Sequence, residues 1–286
     1  MMQQNMDRAV VCRGNLATRR RLLFLNVIAA SLWLTVTGCD GGEDMTFSKG
    51  YDAYQQGNFA SALAIWKPLA DAGDARAQYN LGVLYSEGRG VKRDPQLAAQ
   101  MWRKAAGQGH MRARHNLALA LIAGENNKQD YPAAIAELQI TADAGFANSQ
   151  YSLGKILIEG LGGAKDVVRG TQYIIKAAEQ GFDKAQYSLG KAYRDGAGVP
   201  ASEEKAAEWF AKAAMRGHLR AQRQLATRLA EGLGVPRDEV AAMKWAMIAA
   251  NQGVSEAAQL VEQLNQKLTA EQITKAQTEA AAFIPE

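Results

Sequence analysis

Beyond residue 46, apolar and small side chains recur at intervals of three and four, the period that lines one face of an α-helix. Ala77, Leu81, Leu84 and Tyr85 make the first clear stripe. Gly88 closes it, because glycine takes the left-handed C-terminal conformation at little cost. A loop from Gly88 to Arg93 follows, then Asp94 in an N-cap position with Pro95 in the first helical position. Ala98, Met101, Trp102, Ala105 and Ala106 form the face of a second helix, which Gly109 stops. The pattern predicts two short antiparallel helices, neither able to bury its apolar face alone.

The whole unit then returns with a fixed period. Ala77-Gln-Tyr-Asn-Leu-Gly82 is repeated as Ser149-Gln-Tyr-Ser-Leu-Gly154 and Ala185-Gln-Tyr-Ser-Leu-Gly190, with weaker copies from Ala113 and Ala221, so that starts fall at 77, 113, 149, 185 and 221. Gly73, Gly109, Gly145, Gly181, Gly217 and Gly253 keep the same register, as do the N-cap residues Asp94, Asp130, Asp166, Ser202 and Asp238. Paired alanines at 177–178, 213–214 and 249–250 allow adjacent helices to approach closely. Stacked units of this kind share one continuous core. The predicted fold is therefore all-α, a right-handed superhelical solenoid of antiparallel helix pairs.

These units resemble the Sel-1-like repeat, a relative of the tetratricopeptide repeat. The family pattern is A-x-x-x-L-G-x-x-Y-x-x-G-x-G-V-x-x-D, then an apolar helix with W, then A-A-x-x-G. Residues 77–109 carry nearly all of it, and 185–217 and 221–253 carry most. The unit from Ala113 departs, with Ala118 for the glycine, Leu121 for the tyrosine and Asn126-Asn127 in the loop, where asparagine tolerates the left-handed conformation. The resemblance spans residues 47–268: an N-terminal pair over 47–76, full repeats from 77, 113, 149, 185 and 221, and a half repeat over 257–268. In the first pair Trp66 lies one period before Trp102. Residues 269–286 are expected to form a C-terminal capping helix, opened by the capping-box pattern Thr269-Ala-Glu-Gln272. In the related superhelices the first helix of each pair lines the concave face.

The residues before the array read as a targeting segment. Arg19-Arg20-Arg21 precedes an apolar run from Leu22 to Val36, short for a membrane span and fitting for a signal peptide over residues 1–38. Val36-Thr-Gly-Cys39 resembles a bacterial lipobox, which implies that Cys39 is the lipidated mature N-terminus, followed by a tether over residues 39–46. Cys12, the one other cysteine, lies in the part that would be removed. Asp40 resembles an inner-membrane retention signal; the outer membrane is the alternative. Thr18 to Leu23 also resembles a twin-arginine export motif, and a plain basic leader is the preferred reading. The leader's five arginines against Asp7 account for the entire net charge of +4. The rest is electrically balanced, which removes the charge argument for nucleic acid.

Nothing in the array points to catalysis. Composition is ordinary, 48% apolar and 22% charged, with 6 prolines in 286 residues. His110 and His218 are read as solvated turn residues three units apart, too far to share a metal, so no metal or cofactor is expected. The glycine-rich loops are turns, since none follows a strand or precedes Gly-Lys-Ser/Thr. Cysteine-rich Sel-1-like proteins have been linked to β-lactam binding, but this array carries no cysteines, and that analogy does not transfer.

What remains is surface. On the first helices, opposite the Leu81 stripe, one column is Tyr79, His115, Tyr151, Tyr187 and Arg223. A second is Val83, Leu119, Lys155, Lys191 and Thr227, and a third Ser86, Ile122, Ile158, Arg194 and Ala230. The groove is thus expected to be apolar at Val83, Leu119, Ile122 and Ile158, and basic at Lys155, Lys191 and Arg194. Tyr151 and Tyr187 either pack between repeats or contact a partner. The function expected is a non-enzymatic, membrane-anchored scaffold of the bacterial cell envelope, facing the periplasm and binding a protein or peptide partner through its concave surface. The alternatives are an accessory lipoprotein of exopolysaccharide or secretion machinery, and a peptidoglycan- or polysaccharide-acting enzyme.

Overall fold

The computed structural model describes residues 41–124 and 128–285. Cys39, Asp40, the signal segment and Asn126-Asn127 lie outside the described residues. Among the described residues there are fourteen α-helices and no strand. The helices are α1 (Gly41–Gln55), α2 (Phe59–Asp71), α3 (Ala75–Glu87), α4 (Pro95–Gly107), α5 (Met111–Ala123), α6 (Tyr131–Asp143) and α7 (Ala147–Glu159). They continue as α8 (Val167–Glu179), α9 (Asp183–Asp195), α10 (Glu203–Met215), α11 (Leu219–Glu231), α12 (Glu239–Ala250), α13 (Ser255–Asn265) and α14 (Ala270–Ala281). Each helix from α2 to α12 packs on the next in sequence, and α14 packs on α12. The fold is an all-α solenoid of helix pairs.

Two boundaries differ from expectation. Helix α1 begins at Gly41, inside the segment read as a tether, although Asp40 to Asp44 shows no apolar period. First helices also start two residues ahead of the motif, at Ala75, Ala147, Asp183 and Leu219, because the cap residue lies in the turn rather than in the motif.

Both helix ends follow the local rules. Asp94, Asp130, Asp166, Ser202 and Asp238 each accept a hydrogen bond from the backbone N–H three residues on. Thr269 and Gln272 complete the capping box that opens α14. Every first helix from α3 to α11 ends on a left-handed glycine whose N–H returns to the carbonyl four residues back.

Packing within a pair depends on a glycine facing a large side chain. The Trp102 ring lies directly over Gly82, and its Nε1 donates to Tyr79 O at 3.2 Å. Trp66 does the same over Gly50, donating to Phe47 O. Phe210 covers Gly190, and Ile174 covers Gly154. In the last pair backbone meets backbone, because α8 brings a second glycine: a Cβ on Gly154 would stand 2.7 Å from Gly170 O, and one on Gly170 2.7 Å from Gly154 O.

Substitutions here separate close approach from backbone conformation. Gly154→Leu is expected to cost about 1–3 kcal/mol by overpacking against a backbone that cannot yield. Gly145 sits at φ +92° with open space around it, so Gly145→Val is expected to cost about 1 kcal/mol or more through strain alone. Urea midpoints of the two variants measure both, and an unchanged midpoint for either removes its explanation.

Candidate functional site

The first helices carry the columns of interest, and the tyrosines are held by the turn that follows each pair. Tyr79 stacks on His110 with ring centroids 4.7 Å apart, and Tyr187 on His218 at 4.5 Å. Tyr151 meets Phe182 edge-on at 5.3 Å. The partners are the N-cap residues of the next first helix. His110 and His218 use Nδ1 to accept the N–H of Ala113 and Ala221, each at 3.2 Å. They are therefore not solvated turn residues: both are half-buried caps wedged against the preceding repeat. This column of flat rings (His110, Phe146, Phe182, His218) has the 36-residue period, a signal in the sequence that the search for catalytic motifs passed over.

His115 replaces tyrosine in its column and is also half-buried, its Nδ1 2.9 Å from Ser149 Oγ. Burial disfavours the charged imidazole, so His115 and His218 both titrate below the ordinary histidine value.

Along α7 and α9 lies a groove of about 920 Å³, lined by Tyr151, Lys155, Ile158, Tyr187, Lys191 and Asp195 among others. The structure thus brings five of the candidate partner-binding residues, Tyr151, Lys155, Ile158, Tyr187 and Lys191, to one groove. Tyr151 and Tyr187 both pack between repeats and show an edge to the groove.

The groove's electrostatics differ from the basic surface expected. Lys155 is paired with Glu159 at 3.0 Å. Arg194 makes two bonds to Asp195, at 2.7 and 3.0 Å. These pairings hold Lys155 and Arg194 above their ordinary pKa values and Asp195 below its own. The acidic partners occupy a column one residue beyond Ile158 and Arg194, so the charges there are mixed. Asp183 and Arg220 extend the mixture at the C-terminal end.

The apolar half also divides. Leu119 is 42% exposed on α5. Val83, Ile122 and Ile158 are half-buried and packed against the core, Ile158 against Gly170. An α-helix turns 100° per residue, so columns three positions apart do not face solvent equally.

Other polar groups serve the stack. Gln78, Gln150, Gln186 and Gln222 are buried, each donating to the carbonyl eight residues back. Arg228, 3% exposed, reaches Glu203 and lies over the Phe210 ring. Among the described residues no group of three or more His, Cys, Asp or Glu is placed to hold a metal ion, and no helix is long and apolar enough to cross a membrane.

A tandem array of helix pairs with a groove along its first helices and a series of successive core clusters defines an α-helical repeat protein. The chain belongs to the Sel1 repeat family, whose repeat matches residues 75–110, 147–182, 183–218 and 219–254, about half of the chain. The matches pass over 111–146, the unit whose motif departs. The chain resembles a Sel1 repeat protein from Oxalobacter formigenes, with 25% identity over 84% of this chain and 97% of that one, and a TM-score of 0.69. It also resembles c5321, a protective antigen present in uropathogenic Escherichia coli strains and displaying an SLR fold, with 26% identity over 85% and 69% of the two chains and a TM-score of 0.47. No curated protein matches the chain. Sel1 repeat proteins mediate protein–protein interaction.

The half-buried His115 and the cap His218 make stability depend on pH in a definite direction. The folded pKa values of His115 and His218 lie below the unfolded value of about 6.5. Their contribution is therefore present above that value and is lost as pH falls through it, because the unfolded chain then binds the extra protons. Tm is expected to fall between about pH 7.5 and 5, and less so in His218→Asn, which keeps a cap acceptor without titrating. Equal pH dependence in both proteins would show that the His218 cap does not govern this loss.

Proposed function

We propose that this Sel1 repeat protein is a non-catalytic scaffold, tethered by lipid in the bacterial cell envelope, that holds a segment of a partner protein along the face of its first helices. The observation that carries the reading is the continuous groove beside α7 and α9, with Leu119 exposed one repeat before it. A buried apolar anchor with charged groups around it is the usual energetic form of a peptide groove. Lys191 and the paired Lys155 and Arg194 bias an acidic partner segment, while Glu159 and Asp195 restrict which ones fit. The envelope location rests on the sequence Val36-Thr-Gly-Cys39 after a signal-type run. Asp40 favours the inner membrane, with the periplasm as the compartment faced.

Leu119→Glu is the cleaner probe of the proposed binding face beyond the groove, since Ile122 packs against the core and its replacement disturbs the fold as well. In cross-linking to an envelope-resident partner, Leu119→Glu is expected to reduce recovery about tenfold while Tm moves little. Unchanged recovery with unchanged Tm places the surface elsewhere. Independently, Cys39→Ala is expected to move the protein from the membrane fraction to the soluble one or to leave it unprocessed. Normal retention of a processed Cys39→Ala protein refutes the lipid anchor.

A further inference from the structure

The second helices carry another repeated set, which meets the first groove only at Gly217 and Gln252. Trp209 on α10 and Trp245 on α12 stand one period apart, and both are half-buried. Gly181 and Gly217 are spaced in the same way, as are the buried Gln186 and Gln222. Around Trp245 the set is covered by the chain itself. After α14 the Phe283 ring meets Trp245 edge-on with centroids 5.1 Å apart. Pro285 Cβ and Cγ lie 3.3 Å from where a Cβ on Gly217 would stand. Ile284 between them is 84% exposed. Around Trp209 the equivalent residues instead line an open cavity of about 460 Å³, formed by Gly181, Gln186, Trp209, Lys212, Met215 and Arg216 with their neighbours. That volume is within the roughly 300–1,000 Å³ of ligand pockets.

We infer that the Trp209 groove is a second docking site, which takes an extended segment with an aromatic residue two places before a proline and an acidic residue after it. The chain's own Phe283-Ile284-Pro285 is the template for the aromatic and the proline, because it fills the same set of residues one repeat further on. The acidic requirement comes from the differences between the two grooves. Ile248 and Gln252 at the covered groove correspond to Lys212 and Arg216 at the open one. Lys212 Nζ stands 4.1 Å above the Trp209 ring and is paired with the exposed Glu208. The Arg216 guanidinium lies over Gly181, its Cζ 3.0 Å from where a Cβ would stand. Two cations thus hold the places that Phe283 and Pro285 hold at the neighbouring groove. Both are long side chains at the surface, and their withdrawal exposes the same ring and the same bare glycine. Once moved aside they flank the incoming segment, where a carboxylate after the proline pairs with Arg216. Glu286 follows Pro285 in this sequence.

The probe is a labelled synthetic peptide with the sequence of residues 279–286, titrated into the protein and followed by fluorescence anisotropy. Saturable binding of one peptide per chain is expected, weakened about tenfold or more by Trp209→Ala, the change that removes the aromatic anchor. The surface pair Lys212→Glu and Arg216→Glu is expected to weaken it as well, and tests the proposal even if Trp209→Ala fails to fold by circular dichroism. Phe283→Ala with Pro285→Ala should release the tail and raise the stoichiometry to two. The proposal is overturned if the unaltered protein binds no peptide, or if a folded Trp209→Ala protein and the charge-reversed pair both bind it normally. It is equally overturned if binding appears only after the tail is released.

Discussion

In four helix pairs a glycine of the first helix stands against a bulky side chain of the second: Gly50 against Trp66, Gly82 against Trp102, Gly154 against Ile174 and Gly190 against Phe210. The absent Cβ allows the large group to lie flat on the backbone, and dense packing then fixes the spacing of the two axes. The same two positions in the remaining pairs read Ala118 with Leu138 and Ala226 with Ala246, all fully buried. Where the first helix carries a methyl, no aromatic ring faces it, and the summed volume at the two positions varies from Gly with Trp down to Ala with Ala. Gly50 is four positions out of the strict register because the turn Gly57-Asn58 is shorter than the loop from Gly88 to Asp94, and Asn58 still caps where Asp94 does.

That spacing decides what is left for function. With the Leu81 stripe and the facing helices committed to the core, the first helices keep one outward strip, and the turn residues reach up to share it. A tyrosine on this strip cannot stand free, since the next cap residue lies against its ring. Tyr187 therefore does two things at once, bracing His218 and showing an edge to the groove. Any partner lying there touches the same side chains that register one repeat on the next. Binding and repeat stacking are then coupled, and a ligand that orders the strip also stiffens the array.

Much of this was legible in the residues. The 36-residue period, the left-handed glycine at Gly88 and its equivalents, the five N-caps and the capping box at Thr269 all depend on backbone chemistry within a few residues, which sequence records directly. The groove was legible only in outline. Lys155 and Arg194 were readable as cations, but their pairing with Glu159 and Asp195 is a matter of which rotamers reach along a helix. Ile122 and Ile158 share the outward half of their helices with Leu119, yet the close approach of α7 and α8 at Gly154 and Gly170 draws Ile158 inward. The histidines were misjudged because a turn position suggests solvent, whereas the left-handed glycine before each one folds it back onto the preceding tyrosine.

The end of the array shows how a repeat protein closes an otherwise unending surface. A terminal pair lacks the neighbour that would cover its second helix, and α14 supplies that cover by packing on α12, exposing a polar face of its own. The cover extends past the helix: Phe283 and Pro285 lie over Trp245 and Gly217, with Lys244 also 5.5 Å from the Trp245 ring, whereas Lys212 and Arg216 alone hold these places one repeat earlier. Apolar cover at the terminus and cationic cover at Trp209 are two solutions to one geometric problem, a flat aromatic ring beside a glycine that no backbone neighbour fills. The difference between them is solvent. Phe283 lies edge-on against Trp245, whereas Lys212 and Arg216 keep their heads at the surface and leave an open cavity beside Trp209. Phe283 and Pro285 cover Trp245 and Gly217, and the equivalent surface one repeat earlier is flanked by the long side chains of Lys212 and Arg216.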